Sequence, residues 1–224
     1  MTHDEEPSEL PTSELGTKEF WDSSYELELN NFNDHGDVGE VWFGEDSAAR
    51  IVRWMSSSDI ISTHDSIVDL GCGNGMLLVE LAHEGFENLL GVDYSEAAVK
   101  LAQKVASSQN LDIKFETCDI LADATKPLNG RQFKVVLDKG TYDAISLNPE
   151  NAHEKRNMYI EAVHNLLEAE GSFILTSCNW TQAELESHFQ KYFKLALVLP
   201  TPKFQFGGKT GNTVTSLVFK TKCD

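Results

Sequence analysis

From residue 67 onward, apolar residues fall into short blocks that alternate with longer amphipathic segments. Six blocks have the length and composition of strands buried in a sheet: Ile67–Leu70, Leu89–Asp93, Ile113–Thr117, Lys134–Asp138, Ser172–Ser177 and Phe193–Leu199. A further block, Thr213–Phe219, closes the pattern. The distribution of apolar residues therefore predicts a sheet of seven strands.

The segments between these strands have helical signals. Apolar spacing predicts helices over Met76–His83, Glu96–Ser107 and His153–Leu167, and a capping box from Thr181 to Glu184 opens another. Alternation of strand and helix predicts a parallel sheet with helices on both faces. Only the loop Pro200–Asn212 joins the last two strands, which favours an antiparallel pair. We therefore expect an α/β, Rossmann-like, doubly wound sheet of seven strands, mostly parallel with one antiparallel strand.

The first 60 residues differ in character from the rest. Residues 1–14 are acidic and contain two prolines, which predicts a disordered tail. Thr17 can cap a helix within Leu15–Phe32, and a second helix is predicted over Asp46–Met55. We interpret residues 15–60 as a helical cap over the ligand-binding end of the sheet, and residues 61–224 as the main domain. The alternative is a helical layer without a ligand role.

Composition and charge limit the class of protein. An apolar fraction of 41% with no stretch of membrane-spanning length predicts a globular protein without a membrane anchor. Four cysteines without a C-x-x-C pair argue against a zinc site and against a disulfide scaffold, so we expect no metal and a reducing compartment. The formal charge of −18 disfavours direct binding of nucleic acid, and it favours a basic partner or serves solubility. We expect a cytoplasmic monomer and leave a nuclear location open.

A glycine-rich loop after the first strand carries the strongest chemical signal. Gly71, Gly73 and Gly75 alternate with other residues, and the third glycine of a dinucleotide fingerprint is replaced by Met76. Asp69, just before the loop, would repel a pyrophosphate but favour a cation. S-adenosylmethionine carries two cationic groups, and Asp93, at the end of the next strand, can accept hydrogen bonds from ribose hydroxyls. The combination predicts a methyl-donor site, the alternative being an ordinary tight turn with a strand-end acid.

Other strand ends supply further candidates. Asp119 could accept a hydrogen bond from the adenine amino group while Ile120 packs on the ring, or Asp119 could simply form a turn. Asp138 could lie near the ammonium of the donor or the incoming nucleophile, or it could cap the turn that follows. A dry aromatic pocket would help a substrate lysine lose its proton, because the free side chain has a pKa of about 10.4. Aromatic residues available for such walls, or equally for the core, are Tyr142, Trp180, Phe204 and Phe206.

These motifs resemble those of a known family. Asp69-Leu-Gly-Cys-Gly-Asn-Gly75 with Gly91-Val-Asp93 resembles the class I, seven-stranded S-adenosylmethionine-dependent methyltransferases. Asp138-Lys-Gly-Thr-Tyr-Asp143 resembles the branch that methylates protein lysines. The stretches Leu15–Tyr25 and Ser177–Thr181 resemble the methyltransferase-like proteins that modify translation elongation factor 1-alpha. The resemblance implies a protein-lysine N-methyltransferase that converts S-adenosylmethionine to S-adenosylhomocysteine and acts on this basic factor.

The resemblance and the strand-end reasoning together give a set of candidate site residues. The expected catalytic residues are Asp138, Tyr142, Asn179 and Trp180. The expected cofactor-binding residues are Trp21, Tyr25, Asp69, Gly71, Cys72, Gly73, Asn74, Gly75, Asp93, Tyr94, Asp119, Ile120, Asp138 and Lys139. The loop Pro200–Asn212 is expected to meet the substrate. Three other functions stay open: a small-molecule methyltransferase on the same fold, a non-catalytic protein that binds S-adenosylmethionine, and a dinucleotide-dependent oxidoreductase.

Overall fold

The computed structural model describes residues 9–122, 124–201, 203–206, 209–212 and 214–222, with only the backbone described at 203–206 and 209–212. The helices are α1 (Lys18–His35), α2 (Glu45–Ser57), α3 (Met76–His83), α4 (Glu96–Ser108), α5 (Thr141–Ser146), α6 (Ala152–Leu166) and α7 (Gln182–Phe189). The strands are β1 (Ser66–Leu70), β2 (Asn88–Asp93), β3 (Lys114–Thr117), β4 (Phe133–Lys139), β5 (Leu167–Ser177), β6 (Phe193–Val198), β7 (Lys203–Phe206), β8 (Lys209–Asn212) and β9 (Thr215–Thr221).

Seven of these strands form one sheet in the order β3-β2-β1-β4-β5-β9-β6. Strands β1 to β5 pair in parallel, and β9 is antiparallel to both β5 and β6. The expected fold class, a mostly parallel doubly wound sheet with one antiparallel strand, is confirmed. The strand order reverses between β1 and β4, because the chain runs outward through β2 and β3 before it returns beside β1. In sheets of this kind, ligands bind at such a switch point, beyond the carboxyl ends of the strands.

Both faces of the sheet are buried, as the continuous apolar strands predict. In β1, Ile67 packs into the core layer that holds α2, α3 and α4. Its neighbours Val68 and Leu70 pack into the opposite layer, beneath α6 and α7. The two layers fix the sheet as the central element, so that its strand ends form a rigid platform for side chains.

Two elements differ from the sequence-based prediction. The segment Pro200–Asn212, expected to be a loop, contains the antiparallel hairpin of β7 and β8. Its signal is the pair Gly207-Gly208 between two short runs, which favours a tight hairpin turn. The short helix α5 was not predicted either, because six residues are too few to show a helical period.

The expectation of a disordered tail is wrong for residues 9–14, and residues 1–8 lie outside the described part of the chain. The guanidinium of Arg156 donates to both carboxylate oxygens of Glu9, at 2.6 and 2.8 Å. Ser13 N donates to the carbonyl of Leu147 at 3.0 Å, and a 3-10 turn follows at Glu14–Gly16. These contacts hold the segment against the fold, although the acidic composition alone favours disorder. Within the described residues, no helix is both long and apolar enough to cross a membrane.

Candidate active site

A cavity of about 510 Å³ lies beyond the carboxyl ends of the parallel strands. It is bounded by the glycine loop after β1, by the ends of β2 to β5 and by residues of the N-terminal segment. Most of the sequence-predicted site residues line it: Trp21, Tyr25, Gly71, Cys72, Gly73, Asn74, Asp93, Tyr94, Asp119, Ile120, Lys139 and Asn179. The structure thus brings together residues that are up to 158 positions apart in the sequence, from Trp21 to Asn179 (179 − 21).

The backbone of the glycine loop is shaped by β2 and by the N-terminal helix. The amides of Gly71 and Cys72 both donate to the carbonyl of Val92, at 2.8 and 3.0 Å. Gly73 has a φ of +54°, and a Cβ atom there would collide with the hydroxyl of Tyr25. Glycine is required at this position on both counts, and its bare backbone faces the cavity.

Asp93 is fixed beside this loop. Its Oδ2 accepts from Gly73 N at 3.1 Å, and its Oδ1 accepts from Ser95 N at 2.9 Å. An ionised carboxylate has about four acceptor positions, so two remain for groups in the cavity. Burial raises the pKa of Asp93 to about 6, against the opposing effect of these backbone hydrogen bonds. The carboxylate therefore combines rigid placement with free acceptor capacity.

The N-terminal segment closes the cavity from above the strand ends. Trp21 Nε1 donates to Leu15 O at 2.7 Å, and the Trp21 ring stacks on Tyr25 with centroids 5.9 Å apart. Asn74, in the glycine loop, donates through Nδ2 to the carbonyls of Val38 and Glu40 at 3.0 and 3.1 Å. The segment after α1 is thus tied directly to the loop that faces the cavity.

Asp138 does not line the cavity. Its carboxylate accepts from Thr141 N at 2.8 Å, from Tyr142 N at 2.9 Å and, through a short hydrogen bond, from the Tyr159 hydroxyl. These are the contacts of the alternative interpretation, in which Asp138 caps the turn that follows β4. Burial raises the pKa of Asp138 to about 7, while the Tyr159 hydroxyl opposes that shift.

Four other predicted site residues also lie outside the lining of the main cavity. Asp69 and Lys139 border a small adjoining pocket, and burial raises the pKa of Asp69 to about 7. Gly75 faces the core, where a Cβ atom would stand 2.9 Å from Ala102 and from Phe115. Tyr142 and Trp180 are buried in the opposite core layer. The side chains of Phe204 and Phe206 fall outside the described residues.

Several lining residues were not predicted from the sequence. The most relevant to chemistry are Asp143 on α5, Lys155 on α6 and Cys178 after β5. Asp143 is the last residue of the motif that begins at Asp138. Treating both acids of that motif as candidate site residues would have included it. Lys155 lies on a helix with no local motif, and nothing in the sequence around it signals a place in the cavity.

The lining fits an adenosyl group attached to an amino acid. Four features lie along the ends of β1 to β3. They are the bare backbone of the glycine loop, the carboxylates of Asp93 and Asp119, and the apolar side chain of Ile120. At Gly73, the hydroxyl of Tyr25 occupies the place that a Cβ atom would take, so this hydroxyl and the loop backbone border the cavity together. Among the described residues, no group of three His, Cys, Asp or Glu side chains is arranged to hold a metal ion.

Comparison with known proteins defines the class. Residues 61–216 match the model of a methyltransferase domain family. The chain is 16% identical to the N-methyltransferase NodS of Bradyrhizobium japonicum WM9, solved in complex with S-adenosyl-L-homocysteine, with a TM-score of 0.64 over 90% of this chain and 98% of that one. The chain therefore belongs to the methyltransferase domain family.

Two relatives narrow the assignment further. EEF1A lysine methyltransferase 2 of Mus musculus is 51% identical over 93% of this chain and 84% of the relative. The protein-lysine N-methyltransferase efm4 of Schizosaccharomyces pombe is 40% identical over 95% of this chain and 96% of the relative. Within the methyltransferases, the chain thus belongs with the protein-lysine N-methyltransferases, and the family resemblance seen in its motifs is confirmed.

Proposed function

We propose that this protein is an S-adenosylmethionine-dependent protein-lysine N-methyltransferase that acts on translation elongation factor 1-alpha. The observation that carries the proposal is the 51% identity to EEF1A lysine methyltransferase 2 over 93% of the chain. The cavity supports it, because it presents donor-binding groups along β1 to β3 and a separate region at β4 and β5 for an acceptor.

The donor would lie along the glycine loop. Asp93 would accept hydrogen bonds from the ribose diol, with its orientation fixed by Gly73 N and Ser95 N. Asp119 and Ile120 would contact the adenine, and Trp21 with Tyr25 would cover the donor and exclude water. When bound, S-adenosylmethionine supplies a sulfonium methyl group that an amine can attack in line.

The acceptor would enter at the other side of the cavity. Asn179, after β5, lines this region and can position the incoming amine. Tyr142 and Trp180 lie behind it rather than in it, so we assign them a positioning role. The indole Nε1 of Trp180 donates to Ser146 Oγ at 3.1 Å and thereby ties the end of β5 to helix α5. Asp138 belongs to the same supporting layer.

A labelled methyl-transfer assay tests the proposal. Purified protein and S-adenosylmethionine are mixed with purified elongation factor 1-alpha and, separately, with extract and with deproteinised extract. We expect one lysine of the factor to be labelled, and a Lys→Arg change at that position to abolish labelling. Labelling of deproteinised extract alone would instead support a small-molecule methyltransferase. Donor binding without any transfer would support a non-catalytic protein.

We also propose a cytoplasmic monomer that contacts neither nucleic acid nor membrane directly, with residues 15–60 as the cap and residues 61–224 as the catalytic domain. The charge of −18 supports this. Phosphate groups of nucleic acids and of lipids repel a protein of this charge, whereas a basic substrate protein is attracted to it. Light scattering should give the mass of one chain, and cell fractionation should find the protein with the translation machinery.

A further inference from the structure

Four carboxylates occur among the described residues that line the cavity: Glu40, Asp93, Asp119 and Asp143. Asp93 and Asp119 follow β2 and β3, on the proposed donor side, and Glu40 lies between α1 and α2. Asp143 is in the first turn of α5, directly after β4. It is thus the carboxylate that stands at the acceptor side, where none of the roles proposed above has assigned it a function.

Asp143 is held rigidly at the end of β5. Its Oδ1 accepts from Ser177 Oγ at 2.5 Å, and its Oδ2 accepts from Cys178 N at 2.7 Å. The side chain is only 4% exposed, yet it borders the cavity together with Cys178 and Asn179. The Cys178 thiol and the Asn179 amide also donate to this carboxylate. A thiol is a weak donor, so an ammonium group that enters the cavity can take its place on the carboxylate.

The lysines that line the cavity are engaged elsewhere. Their hydrogen-bond partners are Asp22 Oδ2 for Lys18 at 2.6 Å, Trp42 O for Lys139 at 2.9 Å and Asn148 Oδ1 for Lys155 at 2.8 Å. Desolvated carboxylates are stabilised by a cation close by. An incoming ammonium group would supply this cation to Asp143.

We infer that Asp143 binds the ε-ammonium of the acceptor lysine and takes one of its protons before methyl transfer. The inference rests on the proposed function and names the acceptor group of that same site. The N–H proton moves to a carboxylate oxygen of Asp143, which leaves a neutral amine. The amine lone pair then forms the new N–C bond, and the C–S bond of the donor breaks with its electron pair left on sulfur. Asp143 releases the proton to water when the product leaves.

The surroundings of Asp143 suit a proton acceptor. Burial raises its pKa, while hydrogen bonds from Ser177, Cys178 and the Asn179 amide oppose that shift. A general base works best when its pKa lies near the operating pH, and burial moves the pKa of a carboxyl group in that direction. Other titratable groups that face Asp143 or share the cavity on this side are Asp138 on β4, Tyr142 on α5, Cys178 after β5, Lys139 at the end of β4 and Lys155 on α6.

The variant Asp143→Asn separates this role from a structural one. An asparagine keeps one tie, because its Oδ1 can accept from Cys178 N. Ser177 Oγ already accepts from Asn179 N and Trp180 N, so it has no acceptor position left for the asparagine Nδ2. The asparagine cannot accept a proton. Ser177→Ala is the structural control, since it removes the same tie and leaves the carboxylate in place. It also removes the acceptor of Asn179 N and Trp180 N. We expect both variants to unfold at a lower temperature than the wild type, and Asp143→Asn to lose no more stability than Ser177→Ala.

The first measurement uses donor analogues and needs no acceptor protein. Sinefungin carries an amino group where the donor carries its methyl group, whereas S-adenosylhomocysteine carries neither. We expect the wild type and Ser177→Ala to bind sinefungin more tightly than S-adenosylhomocysteine by calorimetry. Asp143→Asn should lose about tenfold of this preference, the value of one charge-assisted hydrogen bond. Equal preferences in the wild type and Asp143→Asn would overturn the inference.

The second measurement is the pH profile of methyl transfer. Near neutral pH, we expect kcat/KM of Asp143→Asn to fall about 100-fold, the usual scale for loss of a general base. The defect should shrink as the pH approaches the lysine pKa of about 10.4, because the substrate then loses its proton to water. A defect that is constant with pH would contradict the proton-transfer role. If the wild type labels no protein at all, the proposed function fails, and the analogue measurement still decides whether Asp143 binds an ammonium.

Discussion

The ends of β2 and β4 offer two buried acids with opposite surroundings. Asp93 and Asp138 are 4% and 1% exposed, and burial raises their pKa values to about 6 and about 7. Asp93 accepts two backbone hydrogen bonds and lines the cavity. Asp138 accepts hydrogen bonds from Thr141 N, Tyr142 N and the Tyr159 hydroxyl, and it does not line the cavity.

The comparison shows that burial and a raised pKa do not identify a ligand-binding acid. A ligand-binding acid is better identified by whether acceptor positions of its carboxylate remain free and face the cavity. Asp138 accepts hydrogen bonds from the helix that follows it and from a tyrosine of α6, so it stabilises the strand ends below the cavity. Asp93 keeps capacity for a ligand. Asp143 differs from its motif partner Asp138 in position, because Asp143 lines the cavity and Asp138 does not.

The largest expected effect comes from Asp138→Ala. The change would leave three buried donors without their acceptor, and we expect the free energy of unfolding to fall by about 3 to 5 kcal/mol. Urea unfolding measures this loss. Tyr159→Phe is a graded control, because it removes only one of the three donors and should cost about 1 kcal/mol.

A binding measurement on the same variant, Asp138→Ala, is the control for this prediction. The folded fraction of Asp138→Ala should bind S-adenosylhomocysteine as the wild type does. If the variant kept its stability and lost the ligand, Asp138 would be a donor contact after all, and the contrast between the two strand ends would disappear.

The next effect in size is expected for Asp93→Ala. Loss of the carboxylate should weaken binding of S-adenosylhomocysteine by about 1.5 to 3 kcal/mol, the scale of charge-assisted hydrogen bonds. Calorimetry provides the measurement, and unfolding by urea should show a smaller change than for Asp138→Ala. A donor affinity equal to that of the wild type would remove Asp93 from the binding site.

The grouping of the glycine loop and Asp93 at one cavity could be predicted from the sequence, because the signals for both are local. Strand, glycine loop and the acid at the end of the next strand lie within Ile67–Asp93. Each feature reflects a local requirement of the backbone that a single sequence can reveal, such as a tight turn, a close approach of two chain segments or the end of a strand. The order of strands and helices likewise follows from apolar periodicity, and it gave the fold class.

The surroundings of Asp138 and of residues 9–14 could not be predicted in the same way. The orientation of Asp138 depends on the backbone amides of α5, a helix too short to predict, and on Tyr159, which lies 21 positions further along the chain. The segment at residues 9–14 depends on a pair between Glu9 and Arg156, 147 positions apart. Contacts of this separation leave no periodic trace in a single sequence.

The pH dependence of donor binding sharpens the comparison further. A ribose diol that donates to Asp93 favours the ionised carboxylate, whose pKa in the free protein is raised to about 6. Affinity for S-adenosylhomocysteine should therefore be constant above this pH and fall as the pH decreases through it, by about tenfold per unit. Asp93→Asn should bind weakly and without this dependence. Calorimetry at pH 5 and pH 7.5 provides the measurement, and a flat wild-type profile would contradict the proposed contact.

The smallest effect is expected where an aromatic residue of the β4 side supports the cavity from behind. The Tyr142 hydroxyl lies 2.9 Å from Nδ1 of His188, within the buried layer of α6 and α7. Tyr142→Phe removes this hydrogen bond and keeps the ring, so the free energy of unfolding should fall by about 0.5 to 1.5 kcal/mol. Because the ring does not reach the cavity, kcat should stay close to that of the wild type. A large loss of kcat at unchanged stability would instead make Tyr142 a wall of the acceptor site, and the β4 side would then touch substrate at two positions rather than through Asp143 alone.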